Sequence, residues 1–133
     1  MASRQFEQFQ GSLEKGVVKL YATITTSTSG TIASSVVKGL AVSKVAAKAG
    51  RYAIALQDSY MRLLAVNAVV IGAADAAYTT ANGVQAILRN VAVASATAPA
   101  FEIQLCRTDT GADAEVIDAA VILVEITLSN SSV

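Results

Sequence analysis

A chain of 133 residues, 53% apolar and 15% charged, is long enough for one domain with its own core, without help from disulfides or metals. Ten basic and ten acidic residues give a formal net charge of zero, which leaves no basic field for reading phosphates and little repulsion between copies. With no histidine and no tryptophan, the chain is excluded from Ser-His-Asp and Cys-His nucleophile chemistry and from the usual zinc sites, and it lacks the aromatic platforms of sugar clefts.

The charge density is low beside the roughly 25% of an ordinary globular protein. It suits a protein that keeps much of its surface against other protein, and a core-rich monomer is the plain alternative. A single cysteine, Cys106, forbids an intrachain disulfide and fits a reducing compartment. The first ten residues lack the charged-then-apolar layout of a signal peptide. The longest apolar run, Leu63 to Ala74, includes Asn67 and is too short for a membrane helix. The expectation is a soluble protein made in a cytoplasm, with no nucleic acid or membrane partner.

In chain order, residues 1–14 read as an N-terminal arm and 15–133 as the folded domain. Phe6, Phe9 and Leu13 stand at i, i+3 and i+7, the spacing of a short amphipathic turn. A helix that short is marginal alone, so these side chains need a cover. That cover is either another protein or their own domain, and they are the candidate protein-interaction residues. Val17 to Thr26 alternates as a strand rich in Val, Ile, Thr and Tyr. A polar loop through Gly30 follows, then a weaker strand from Thr31 to Val37. Residues 39–49 fit either a strand or an alanine-rich helix, and the bracketing Gly39 and Gly50 favour the strand.

The stretch from Gly50 to Gly72 reads as strand, corner, strand, a hairpin with Tyr52, Ile54 and Leu56 directed to the core and Asp58-Ser59 at the bend. Residues 72–83 form a small-residue connection ending in Asn82-Gly83, with Tyr78 within it. Val84 to Ala94 returns to a strand. Pro99 stands where the next strand begins, a place that tolerates a missing N–H. Phe101, Ile103 and Leu105 alternate along that strand. Val116 to Leu128 is the last strand, apolar on both faces in its middle, which predicts a central or sandwiched position. About eight strands with turn chemistry between them predict an all-β fold: an antiparallel β-sandwich, jelly-roll-like, with an extended N-terminal arm.

Chemistry is sparse. Asp109, Asp113, Glu115 and Asp118 gather near one loop, a set of oxygens of the kind hard cations use. Their spacing does not match an EF-hand, and acidic loops commonly serve solubility, so no metal is assigned. Paired carboxylates without aromatic platforms make a poor glycosidase. Cys106 reads as an inert, buried or semi-buried thiol. Tyr60, two residues after Asp58, is placed to tie its hydroxyl back to backbone at the corner. No catalytic residue and no cofactor is assigned.

The succession Gly-Arg-Tyr-Ala-Ile-Ala-Leu-Gln-Asp-Ser-Tyr-Met-Arg-Leu-Leu-Ala-Val-Asn-Ala from Gly50, then Phe-Glu-Ile-Gln-Leu from Phe101, then Thr-Gly-Ala-Asp-Ala-Glu and a hydrophobic strand ending Leu-Ser-Asn-Ser, resembles the small head decoration, or cement, proteins of tailed bacteriophages. The likeness covers roughly residues 16–131 by pattern and is a strand-and-corner signature rather than an active site. It implies a non-enzymatic virion protein, made in the host cytoplasm and bound to the capsid exterior. It also implies a dimer or trimer that bridges neighbouring major capsid subunits. The alternative is a phage tail or fibre β-domain that binds a receptor carbohydrate, which would use Tyr78 and the 109–118 loop.

Overall fold

A computed structural model describes residues 16–27, 30–71, 84–108, 110–113 and 120–130. The arm and its Phe6, Phe9 and Leu13 lie outside the described residues, as do Tyr78, Asp109, Glu115 and Asp118. Among the described residues there are eight strands: β1 (Val17–Thr26), β2 (Ile32–Val37), β3 (Leu40–Lys44), β4 (Arg51–Leu56), β5 (Arg62–Ile71), β6 (Val84–Ala92), β7 (Ala100–Arg107) and β8 (Val121–Ser129). They form two four-stranded sheets, β2-β1-β8-β5 and β3-β4-β7-β6, with every pairing antiparallel.

Period-2 alternation explains how the sheets meet. Ala22 and Ile24 of β1 and Ile122, Val124, Ile126 and Leu128 of β8 line the inner face of the first sheet. Leu40, Tyr52, Ile54, Leu56, Phe101, Ile103 and Leu105 line the inner face of the second, and all of these side chains join one buried cluster. Tyr52 adds a polar strut to that cluster. Its hydroxyl donates to the carbonyl of Gly30, at 2.7 Å, and so links the second sheet to the loop between β1 and β2. Gly30 itself has a φ of +66°, a conformation glycine takes without strain.

Three expectations are revised. The strand over 39–49 is shorter: β3 ends at Lys44, and residues 46–50 make a turn with Ala47 at φ +58°. Val45 donates its N–H to the Arg51 carbonyl and closes that turn, so the remaining residues are consumed in the reversal. Second, the stretch from Gly50 to Gly72 is not a hairpin, because β4 and β5 belong to different sheets. The corner between them is steered by two backbone bonds, Tyr60 N–H to the Val93 carbonyl and Met61 N–H to the Ser129 carbonyl, which deliver β5 to the flank of β8. Third, the hydroxyl anchor expected of Tyr60 is one that Tyr52 displays. Tyr60 contributes a buried ring and its backbone bond.

Burial pushes the Tyr60 phenol above its ordinary value of 10.0, and the nearby Asp58 carboxylate pushes the same way. A raised folded pKa means that the fold favours the neutral phenol. Its contribution is intact below the unfolded value of about 10 and is lost as the pH climbs through the folded one. Urea unfolding of the native chain should therefore weaken more steeply than that of Tyr60→Phe on the alkaline side of about pH 10. Parallel decline of the two proteins would assign that loss to other groups.

Candidate interaction surface

The first sheet turns its inner face to the core and its other face to solvent. Strand register places the outward residues in rows. Val36, Thr23, Leu123 and Val69 form one row across β2, β1, β8 and β5. Ser34, Thr25, Val121 and Ile71 form the next. On the other side lie Tyr21, Glu125 and Asn67, and beyond them Lys19, Thr127 and Ala65.

The outward face of an antiparallel sheet is ordinarily polar. Here Val36 is 75% exposed, Val69 50%, Ile71 49%, Leu123 40% and Tyr21 58%. Leu123 pairs with Val69, and Val121 with Ile71, so four apolar side chains adjoin at one end of the face, where β8 begins and β5 ends. Single exposed apolar residues are unremarkable on any protein, whereas a contiguous group is a mark of an interaction surface. The expectation that the last strand is central therefore holds in the sheet. β8 lies between β1 and β5, buried on one face and open on the other.

Electrostatics on this face are confined to its polar end. Lys19 Nζ lies 3.8 Å from Glu125 Oε1, and both side chains are largely solvated, so the pair adds little stability. A shallow hollow of about 320 Å³ runs between Tyr21, Thr23, Asn67, Val69, Leu123 and Glu125, apolar at one end and carboxylate-bearing at the other. A second hollow, of about 410 Å³, lies where Lys19 and Lys38 approach Asp58 and Tyr60. Its charges are of both signs, so it selects no single ligand charge.

The second sheet differs. Gln104 faces away from the core in the strand alternation, yet it is fully buried. Its side-chain amide donates to the carbonyls of Ala49 and Leu105, at 2.8 and 3.0 Å, and its oxygen accepts from Arg51 Nε at 2.7 Å. Arg51 also lies 3.7 Å from Glu102, which accepts from Asn90 Nδ2 at 2.9 Å. The network ties the 46–50 turn onto β7 and serves architecture. At the edge of this sheet, β6 is exposed over nearly its whole length. Leu88 pairs with Ile103 on the core side and still remains 38% exposed.

Of the acidic loop residues, Asp113 is described. It bridges to Cys106 in backbone pairing, and its Oδ1 lies 3.9 Å from the buried Cys106 Sγ. Among the described residues, no three His, Cys, Asp or Glu side chains gather as a metal-ligand set. Also among them, no helix is long and apolar enough to cross a membrane. Comparison with known proteins yields no matching family model, no matching curated protein and no matching solved structure.

Proposed function

We propose that this chain is a structural protein of a tailed-bacteriophage virion. It binds the outside of the assembled capsid as a homo-oligomer and cements neighbouring major capsid subunits. The observation that carries the reading is the apolar group Leu123, Val69, Val121 and Ile71 on the open face of the β2-β1-β8-β5 sheet. Such a face belongs against protein. The motif residues that suggest the family, Tyr52, Ile54, Leu56 and Tyr60, are core and corner residues here, which fits a scaffold. We describe that scaffold as a jelly-roll-like sandwich. The shared core of the two sheets and the pairing of first strand with last support this, while the β1–β2, β3–β4 and β6–β7 hairpins make it a local variant.

The physical logic is mass action. A protein that binds the assembled lattice, and not dispersed subunits, stabilises the lattice. Many weak contacts on one shell add through multivalency. The arm residues Phe6, Phe9 and Leu13 are assigned to anchoring on a capsid subunit or a neighbouring copy. A chain lacking residues 2–12 should show much lower occupancy on purified heads than the full chain, measured by cosedimentation and gel densitometry. Undiminished occupancy would remove the arm from the account, and full-length chain that binds dissociated capsid subunits as well as intact heads would contradict the lattice mechanism.

A further inference from the structure

We propose that the open face of the β2-β1-β8-β5 sheet is an interface between two copies of this chain. The copies stack face to face about a two-fold axis that runs along the strands, between β1 and β8 and so close to Leu123. The inference rests on reading the protein as one that works through protein contacts, and it names the partner of that face.

Area is the first argument. Four strands at about 4.8 Å spacing and about nine residues at 3.3 Å rise give a flat footprint of roughly 600 Å². Two copies would then bury about 1,200 Å², the lower end of specific interfaces and above most packing contacts. Charge is the second. In the four rows from Lys19 to Thr25 the paired charged side chains are Lys19 and Glu125, which neutralise each other within one copy, and Lys38 stands beside Tyr21 at the edge of the sheet. The rows of Thr23 and Thr25 carry no charge. An axis along the strands places the apolar rows of one copy on those of the other and sets the Lys19–Glu125 pairs toward the opposite end of the contact. Symmetry is the third. A face whose apolar rows meet their own counterparts across the axis is self-complementary, which an isologous contact demands. Sheets stacked this way pack about 10 Å apart, with side chains interdigitating as in a core.

The competing surface within the same chain is the exposed edge of β6, which could pair with another strand by backbone bonds. The test separates the two. Sedimentation equilibrium of the purified full-length chain should show a monomer–dimer equilibrium with a dissociation constant on the order of micromolar, given the small area. Leu123→Lys and Val69→Lys should each raise that constant at least about tenfold, because each sets a charge within the buried patch. Ile87→Lys, on β6, should leave it unchanged. Thr23→Cys, close to the axis, should form an intermolecular disulfide under mild oxidation that the native chain, with its one buried Cys106, does not form. The disulfide reports the face even where a lysine variant folds poorly.

Monomers at every concentration, or dimers lost in Ile87→Lys and kept in Leu123→Lys, would overturn the interface. Chain that binds heads as a monomer would overturn the interface and leave the virion reading in place. Chain that dimerises through this face and never binds heads would do the reverse.

Discussion

Gln104→Ala is expected to lower stability by about 2–4 kcal/mol, with urea unfolding as the measure. The side chain is fully buried, and its amide serves three partners at 2.7 to 3.0 Å: Arg51 Nε, the Ala49 carbonyl and the Leu105 carbonyl. Truncation leaves these groups short of a bond in a largely buried site, and one of them is a cation. Desolvated polar groups left unsatisfied cost more than the net worth of the bonds they made. Gln104→Glu should be no milder, because its carboxylate still accepts from Arg51 but sets a charged oxygen against the Ala49 and Leu105 carbonyls in a buried position. A truncation that costs under 0.5 kcal/mol, the range of ordinary surface changes, would show that the network does not hold the turn.

Phe101→Ala is expected to cost about 3–5 kcal/mol, the range for deleting a buried aromatic ring and leaving a partly collapsed cavity. Phe101 is fully buried on β7, pairs with Ile54 of β4, and belongs to the core shared by both sheets. For a domain of this size the melting temperature should fall on the order of 10 °C or more. Phe101→Leu should recover much of the loss, since it restores most of the volume. Calorimetry gives the answer. An alanine variant that melts within about 2 °C of the native chain would mean that the sheets do not close over this ring.

How far the sequence reveals this molecule depends on how local the deciding interactions are. β1 was readable residue by residue, because a half-buried strand writes its burial into its own alternation. β7 was readable on its core face, where Phe101, Ile103 and Leu105 alternate. The opposite face was not. A glutamine at an outward position of a strand reads as solvated, and Gln104 is buried because the 46–50 turn, more than fifty residues earlier, folds onto it. No spacing within β7 announces that. The partnership of β4 and β5 failed for a similar reason. Two strands joined by a short bend suggest a hairpin, and the bonds that send β5 to the other sheet come from Val93 and Ser129, far along the chain.

The candidate surface is half-visible in the sequence. An apolar stretch on both faces of the last strand suggested cover on both sides, and the fold supplies cover on one. Register was needed to see that Leu123 and Val121 of β8 join Val69 and Ile71 of β5 in one patch. The strand pattern of β5 alone does not say which of its faces is inward, since both carry valine or alanine. β6 was expected as a strand, and its exposure along nearly its whole length follows from standing at the edge of its sheet.

The central claim is that this protein works as a structural component of a phage head. The most direct measurement is the copy number of the chain, by quantitative mass spectrometry, in separately purified heads and tails of a phage whose genome carries this sequence. The account predicts a chain present in heads in a fixed, high ratio to the major capsid protein, and released before the shell itself comes apart. A chain found at a few copies per tail, or in neither fraction, would contradict it.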